Sequence, residues 1–250
     1  MTRAPQNSPV YFEARNLTKS FGALVAVNDL SFVMKQGEIL GIAGPNGSGK
    51  STLFNIMTKI PFGANSGQVF LEGAPIHHLS DAQITRTGII RTFQREAVFP
   101  SLSCVDNILV ALEQTLGVRG KEADWLADEA SEAVGFPRNF HNLPAGELTV
   151  FYQKQLMLTT AVAQRPRVLM LDEPASSLVE DEIDWVRRAI LRLNEKGTTI
   201  LLIEHVLPLL VSVSNRLLVM EQGVKIAEGN PDDVIKDPVV IEAYLGGGIT

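Results

Sequence analysis

The chain has 250 residues, of which 45% are hydrophobic and 20% charged, a balance typical of folded globular proteins and not of disordered ones. The formal net charge is −6, so there is no overall basic surface of the kind that binds nucleic acid, and direct adsorption to an anionic membrane is disfavoured. A single cysteine, Cys104, excludes a disulfide within the chain and fits a reducing compartment.

Neither a signal peptide nor a membrane span is predicted. The first residues carry no apolar signal core, and the most apolar segment, residues 198–213, is interrupted by Glu204, His205 and Pro208. A helical span needs ~20 predominantly apolar residues. We therefore expect a cytoplasmic protein whose role at a membrane, if it has one, depends on a partner.

The first predicted elements are strands. Residues 10–35, rich in Val, Phe and Leu around a turn-like SFGA, predict an antiparallel pair, and the apolar run EILGIA at residues 38–43 predicts a buried strand. Residues 50–60 have helical spacing, and residues 67–73 read as a strand between glycines. Ser80 is the expected N-cap of a following helix.

The second half combines helices with further strands. Residues 102–163 are predicted to be mostly helical. Strands at residues 167–172 and 198–204 then enclose a helix at 180–196, and two shorter strands follow. Apolar strands separated by helices predict an α/β domain with a buried, mostly parallel sheet. The region from about 95 to 163 interrupts this alternation and is predicted to be a helical insert.

The strongest motif is GPNGSGKST at residues 44–52, which matches G-x-x-x-x-G-K-[ST] between a predicted strand and a predicted helix. Its glycines let backbone N–H groups surround phosphate oxygens, and the helix N-terminus adds partial positive charge. Lys50 can reach the terminal phosphates, and the hydroxyl of Ser51 can ligate Mg²⁺. The predicted nucleotide-binding residues of this loop are Gly44, Pro45, Asn46, Gly47, Ser48, Gly49, Lys50, Ser51 and Thr52.

Two further strand ends carry polar groups. In VLMLDEP, residues 168–174, Asp172 ends an apolar strand and can hold Mg²⁺ opposite Ser51, while Glu173 suits a base that polarises water. His205 ends another apolar run, LLIEHV, and we interpret it as a γ-phosphate contact. An Asp-Glu pair or a lone histidine is a weak signal alone, and the phosphate loop is what strengthens both.

With these motifs, nearly the whole chain, from about residue 10 to 246, resembles an ATP-binding subunit of an ABC transporter. Within that superfamily it is most similar to the branched-chain amino acid (LivG-like) importer ATPases. The segments that carry the closer similarity are NLTKSFGALVAVNDLSF, GPNGSGKSTLFN, RTFQREAVFPSLSCVDNILVA, LLIEH and GNPDDVIKDPVVIEAYLG.

The resemblance implies a role for each matching position. Phe21 would stack on adenine, although an ordinary sheet aromatic is the alternative. Gln94 would be the Q-loop residue that contacts Mg²⁺ and the attacking water. Asp172 would be the Walker B carboxylate and a metal ligand, Glu173 the catalytic base and His205 the switch histidine.

The resemblance also implies an architecture and partners. We expect one ABC ATPase domain over residues 8–246: a P-loop α/β core with a mixed, mostly parallel sheet, an antiparallel β-subdomain and the helical insert. Such subunits bind ATP and Mg²⁺ and act as dimers on the inner face of the cell membrane. Their partners are permease subunits and, indirectly, a periplasmic or extracellular binding protein, and nucleic acid is not among them.

The sequence departs from the family at the signature loop, usually LSGGQ, which acts on the partner's nucleotide. Counting back from LDEP without a gap places this loop at residues 148–152, where Val150 and Phe151 replace both glycines. The alternative, residues 143–147, keeps one glycine but contains Pro144 and needs five extra residues, about 7.5 Å of helical rise. We prefer the ungapped placement.

The D-loop after LDEP departs in the same way, since Val179 stands where the family usually has aspartate. Both altered loops act across a dimer, whereas the loops acting on the chain's own nucleotide are intact. This asymmetry favours a heterodimer with a different ATPase subunit over a homodimer. The alternative is that the signature varies and still functions, or that the sequence is altered at this loop.

The sequence therefore predicts an ATP-hydrolysing subunit that energises an importer for branched-chain or related amino acids. A catalytically weak regulatory or structural ATP-binding subunit is the main alternative. A non-transport ABC ATPase acting on DNA or ribosomes is disfavoured, because such chains usually carry two ATPase domains or a long coiled-coil insertion. The substrate itself is chosen by other subunits and does not follow from these residues.

Overall fold

The computed structural model describes residues 9–95 and 97–246. The strands of these residues are β1 (Val10–Phe21), β2 (Leu24–Lys35), β3 (Ile39–Ala43), β4 (Ser66–Leu71), β5 (Ala74–Pro75), β6 (Ile89–Arg91), β7 (Val168–Asp172), β8 (Thr199–Ile203), β9 (Arg216–Glu221) and β10 (Val224–Gly229). The α-helices are α1 (Lys50–Thr58), α2 (Asp81–Arg86), α3 (Cys104–Leu116), α4 (Lys121–Val134), α5 (Val150–Ala163), α6 (Glu180–Glu195), α7 (Leu207–Val213), α8 (Pro231–Val234) and α9 (Pro238–Gly246).

The first sheet is antiparallel and has the strand order β2-β1-β4-β5. The predicted strand pair at residues 10–35 is confirmed as β1 and β2, joined at Gly22, whose φ of +60° suits a residue without a side chain. One face of this sheet is buried: Phe12, Leu17 and Leu30 are inaccessible to solvent and pack with residues of α1.

The second sheet forms the centre of the molecule, in the order β10-β9-β3-β8-β7-β6. Strands β9, β3, β8, β7 and β6 are parallel, and β10 is an antiparallel edge strand. Strands β3, β7 and β8 are buried on both faces, which explains their unbroken runs of apolar residues. The carboxyl ends of the parallel strands meet at one edge, where ligands of such sheets bind. The predicted mixed, mostly parallel sheet is confirmed.

Helices α3, α4 and α5 lie between β6 and β7 and have their own apolar cluster, which includes Cys104, Leu112, Leu126 and Leu156. The cluster explains why this stretch reads as helical in the sequence. The proposed domain start, residue 8, lies outside the described residues.

Two local predictions can be compared directly with the structure. Ser80 caps α2 as expected: its hydroxyl accepts the Gln83 N–H at 3.3 Å, and the Gln83 side chain accepts the Ser80 N–H at 2.9 Å. The helix predicted at 180–196 runs over Glu180–Glu195. Among the described residues, no helix combines the length and apolarity that crossing a membrane requires.

Candidate functional site

The phosphate loop, the ends of β7 and β8 and the tip of the antiparallel sheet enclose a cleft of about 550 Å³. The parallel strands bring these segments to one edge because β3, β8 and β7 are neighbours. The residues that line the cleft are Phe21, Leu24, Ala26, Asn46, Gly47, Ser48, Gly49, Lys50, Ser51, Thr52, Gln94, Glu173 and His205.

Two glycines of the phosphate loop admit no other residue. Gly44 has a φ of +146°, and a Cβ there would lie 2.2 Å from the carbonyl oxygen of Met220. Gly49 has a φ of +101°, and its Cβ would lie 2.2 Å from the carbonyl oxygen of Ala26. The loop thus passes against β9 and β2 at distances that only glycine allows.

Lys50 is the first residue of α1, and its ammonium group folds back onto the loop. Its Nζ donates to the carbonyl oxygens of Gly44 at 2.7 Å and Pro45 at 3.0 Å. Burial lowers the pKa of Lys50, and the negative charges of Glu173 and Asp172 oppose this shift. The loop carbonyls therefore hold a buried cation at the place where phosphate oxygens would compete for it.

Asp172 ends β7 and is paired with Arg91 at the end of β6. Arg91 Nη2 donates to Asp172 Oδ2 at 2.6 Å, and Arg91 Nη1 donates to Asn55 Oδ1 of α1 at 2.8 Å. Burial raises the pKa of Asp172, while the hydrogen bond and charge of Arg91 lower it. Sequence reasoning did not select Arg91, although it lies three residues before Gln94.

The donor set around Asp172 fits Mg²⁺. The second carboxylate oxygen of Asp172, Oδ1, is buried and has no hydrogen-bond partner among the described residues. Ser51 supplies an exposed hydroxyl at the start of α1, inside the same cleft. Mg²⁺ characteristically takes one or two carboxylates together with substrate phosphates and water, so an unpartnered carboxylate oxygen beside a phosphate loop suits it.

Glu173 is held between two other predicted site residues, Gln94 and His205. Gln94 Nε2 donates to Glu173 Oε2 at 2.5 Å, and His205 Nε2 lies 2.5 Å from Glu173 Oε1. Glu173 has a φ of +49°, which is uncommon for a residue with a side chain. Glu173 lines the cleft, whereas the neighbouring Asp172 does not.

A third carboxylate, Glu204, supports this arrangement and was missed by the sequence analysis. Its Oε1 accepts the backbone N–H of Ala175 at 2.6 Å, and its Oε2 accepts the N–H of His205 at 3.0 Å. Burial raises the pKa of Glu204, while these backbone hydrogen bonds lower it. Glu204 thus ties the loop after Glu173 to the segment that carries His205.

Phe21 lies at the other end of the cleft, at the tip of the antiparallel sheet. Phe21 is 45% exposed, and its ring meets the ring of Phe62 edge to face at a centroid distance of 5.0 Å. Lys19 Nζ lies 5.2 Å from the centroid of the Phe21 ring. An exposed aromatic face beside the phosphate loop is available to stack on a base, in contrast to the buried Phe12 of the same strand.

The altered signature region begins α5. Thr149 is the N-cap of this helix and Val150 its first residue, whereas residues 145–147 form a short 3₁₀ turn. The ungapped placement of the signature loop at residues 148–152 therefore falls on the start of α5 and stays a prediction. Val150 is 46% exposed at the helix start. Phe151 instead packs edge to face on Trp185 of α6, with ring centroids 5.4 Å apart.

The D-loop lies close to the same helix. Lys154 of α5 donates to Ser176 Oγ at 3.0 Å, and Val179 precedes α6 with 66% of its surface exposed. Both altered positions, Val150 and Val179, therefore present apolar side chains to solvent.

The structure brings most of the predicted site residues together. Phe21, Gln94, Glu173, His205 and the loop residues from Asn46 to Thr52 line one cleft. Gly44 and Pro45 hold Lys50 from behind the loop, and Asp172 lies buried beside Glu173. The catalytic and metal-binding roles of these residues remain predictions.

The family model of ABC transporters matches residues 27–176, more than half of the chain. The chain belongs to the ABC transporter family. A second model, for the branched-chain amino acid ATP-binding cassette transporter, matches residues 224–250 of this ABC ATPase. The predicted family, fold class and transport-coupled ATPase activity are confirmed, and with them nucleotide binding.

Individual relatives match over nearly the whole length. The high-affinity branched-chain amino acid transport ATP-binding protein BraF of Pseudomonas aeruginosa is 35% identical over 249 residues, which cover 94% of this chain and 97% of BraF. The corresponding LivG of Salmonella typhimurium is 35% identical over 245 residues, covering 92% and 95%. A crystal structure of an ABC transporter ATP-binding cassette in its ADP conformation superposes with a TM-score of 0.87 at 29% identity, covering 96% of this chain and 100% of that one.

Proposed function

We propose that this ABC ATPase binds MgATP in the cleft and hydrolyses it to energise an importer of branched-chain or related amino acids. The observation that carries the proposal is the position of Glu173, held by Gln94 and His205 in a cleft that the phosphate loop also lines. A carboxylate held in this way can accept a proton from water that attacks the terminal phosphate.

Each residue of the cleft has a separate proposed role in ATP binding or hydrolysis. Lys50 exchanges the carbonyl oxygens of Gly44 and Pro45 for phosphate oxygens when ATP enters. Glu173 polarises the attacking water, and His205 contacts the γ-phosphate. Phe21 stacks on the adenine ring.

Ser51, Asp172 and Gln94 would hold the metal ion. When bound, Mg²⁺ neutralises charge that develops on the phosphate oxygens. The unpartnered Oδ1 of Asp172 supports this assignment, and Arg91 keeps the other oxygen of the carboxylate in place.

The similarity to BraF and LivG supports the amino-acid class, because their names state branched-chain amino acid transport and the match covers over nine tenths of each chain. By the same argument the partners are permease subunits, served by a periplasmic or extracellular binding protein. The chain would then lie on the cytoplasmic face of the membrane, attached through those subunits.

A second ATPase subunit, different from this one, is proposed as the dimer partner. Val150 and Val179 support a heterodimer, since a β-branched residue at the signature restricts the backbone where glycines would let it approach phosphate. The same two positions favour the second candidate function, a regulatory subunit that binds ATP and turns it over slowly.

Replacing the base tests the proposed chemistry. We expect Glu173→Gln to retain ATP binding but to reduce turnover by at least about 100-fold, because the amide keeps the shape of the side chain and cannot accept a proton. The measurement pairs an equilibrium ATP titration with phosphate release in the assembled transporter. Glu195→Gln, exposed at the end of α6, is the matched control. Undiminished turnover in Glu173→Gln would refute the role of Glu173.

Uptake tests the proposed cargo. Cells that lack this subunit should lose energised uptake of leucine, and the wild-type gene should restore it while the Glu173→Gln gene should not. Glutamine uptake serves as the comparison cargo. Unchanged uptake of leucine, isoleucine and valine in the deleted strain would contradict the branched-chain assignment and leave the ATPase itself unaffected.

A further inference from the structure

The C-terminal helix reaches the phosphate loop through one side chain. Tyr244 of α9 accepts a hydrogen bond from the backbone N–H of Gly44 to its hydroxyl oxygen, at 2.8 Å. The two residues are 200 positions apart in the chain. Tyr244 lies in the segment GNPDDVIKDPVVIEAYLG, which resembles the branched-chain importers, but no role is assigned to it above.

Gly44 needs this partner. The residue is buried, so its N–H cannot turn to water, and an unpaired buried N–H is costly. The Tyr244 hydroxyl therefore satisfies a buried donor at the start of the phosphate loop.

The fold of α9 directs Tyr244 to this point. Asp237 precedes the helix and accepts the N–H of Val239 at 2.9 Å. Val240 and Ala243 are buried and lie with Tyr244 on the inward face, at the i, i+3, i+4 spacing of one helix side. Ile241 lies at the edge of this face and is 45% exposed.

Both backbone polar groups of Gly44 are therefore hydrogen-bonded to side chains. Tyr244 binds its N–H from the C-terminal helix, and Lys50 binds its carbonyl oxygen from α1. ATP draws the lysine away towards phosphate, whereas the tyrosine contact can persist. We propose that Tyr244 is a positioning residue that keeps the start of the phosphate loop in its nucleotide-binding conformation.

The packing beneath α9 makes the hydroxyl contact important. An apolar cavity of about 180 Å³ lies next to Tyr244, between α9, α7 and the sheet. Its lining residues are Ala43, Leu207, Leu217, Val219, Ile235, Val240, Ile241 and Tyr244. Side-chain packing on this side of the helix is therefore incomplete, and the hydrogen bond supplies a directional attachment.

This inference rests on the proposed nucleotide site and extends it to the segment that matches the branched-chain transporter model, residues 224–250. In this arrangement a displacement of α9 lowers affinity for ATP without any change at the cleft itself. The C-terminal segment is then part of the nucleotide-binding apparatus rather than only a covering helix.

The test is Tyr244→Phe, which removes the hydroxyl and keeps the ring. In the nucleotide-free full chain, the Gly44 amide should exchange with deuterium faster, while the amide of Ile241, which donates to Asp237 within α9, keeps its protection. The dissociation constant for ATP should rise by up to about fivefold, because losing a hydrogen bond worth about 1 kcal/mol lets the nucleotide-free loop leave its binding conformation. KM for ATP should rise by a similar factor, and kcat should change less.

Two controls separate the possible failures. Tyr11→Phe removes a hydroxyl from β1, far from the loop, and should change neither the Gly44 exchange nor ATP affinity. Lys50→Ala should abolish ATP binding, and if it does not, the proposed nucleotide site fails. If Lys50→Ala abolishes binding while Tyr244→Phe leaves Gly44 exchange and ATP affinity at wild-type values, the positioning role of Tyr244 is wrong.

Discussion

Glu204 is a buried carboxylate that fixes two loops of the proposed catalytic site through hydrogen bonds to their backbones. It is 1% exposed and lies between the loop that follows Glu173 and the segment of His205. Each of its oxygens accepts a backbone N–H, so the two loops are fixed relative to each other. The cost is a carboxylate removed from water, and this burial raises its pKa.

That shift predicts how stability depends on pH. The pKa of an unfolded glutamate is about 4.3, and the pKa of folded Glu204 is higher. At a pH between these two pKa values, the native state binds more protons at this residue than the unfolded state does. The stabilising contribution is complete below the unfolded pKa and is lost as pH rises through the raised folded pKa. Relative to Glu204→Gln, which cannot titrate, the wild-type free energy of unfolding should therefore fall as pH rises above about 4.

Urea unfolding of both proteins across this pH range measures the difference. Glu195→Gln is the matched control, because Glu195 is exposed and its removal should leave the pH dependence parallel to that of the wild type. A difference between wild type and Glu204→Gln that stays flat or grows with pH would show that burial does not raise this pKa.

The roles of Glu204, Arg91 and Tyr244 could not be predicted from the sequence. The phosphate loop is a continuous motif whose spacing carries its chemistry, so Lys50 and Ser51 could be selected directly. Tyr244 meets Gly44 across 200 positions, and Arg91 meets Asp172 across 81. No local pattern encodes such contacts, because they depend on which strand ends the sheet order brings together.

At the scale of elements, the start of α5 lacks the glycines that the family usually has, and one of the residues in their place packs on another helix. The helix begins at Val150, so the altered residues occupy its first turn, and Phe151 packs on Trp185 of α6. The bulky ring therefore connects the helical insert to the core. A loop that should approach a partner's phosphate has instead become part of an internal aromatic contact.

Placing glycines at the start of α5 should raise ATP turnover and lower the free energy of unfolding. We expect Val150→Gly combined with Phe151→Gly to raise the ATP turnover of the chain on its own, since exposed backbone N–H groups at the helix start again become available to phosphate. The free energy of unfolding should fall by about 1–2 kcal/mol, from weaker helix propensity and the lost contact with Trp185. Phosphate release and urea unfolding measure the two effects.

Ala133→Gly in α4 is the control for this pair of changes. It should reduce stability by about 1 kcal/mol, through helix propensity and the loss of a methyl group packed on the core, and leave turnover unchanged. If the double glycine variant turns over ATP no faster than the wild type, then Val150 and Phe151 are not what limits hydrolysis in trans.

The elements themselves were largely predictable. Buried strands β3, β7 and β8 are apolar runs that end in chemistry-bearing residues, and Ser80 caps its helix through a short-range pattern. Helices α7, α8 and α9 were not foreseen. They are short, and α9 is so apolar throughout that no single face is distinguished in the sequence, which leaves its inward side to be decided by packing.

At the scale of the whole molecule, the proposed roles of the residues are asymmetric. Every residue proposed to act on the chain's own nucleotide lines or borders one cleft, whereas Val150 and Val179, which would face a partner's nucleotide, are apolar and exposed. Hydrogen-bond donors aimed at developing charge contribute strongly to catalysis, and an apolar side chain supplies none. From this asymmetry we expect productive hydrolysis at a site formed by this chain's phosphate loop and the signature loop of the proposed partner.

The same reasoning predicts which subunit's base matters in a heterodimer. Alone, this chain should hydrolyse ATP slowly, and a partner ATPase with an intact signature loop should raise turnover at least about tenfold, because one missing donor alone can cost 10²–10³ in rate. In that pair, Glu173→Gln should remove most of the turnover, while the equivalent change in the partner should remove little. Steady-state phosphate release from the purified pair, with each single base variant and with both, measures this. Rapid turnover by this chain alone, or a larger loss from the partner's variant, would contradict the heterodimer.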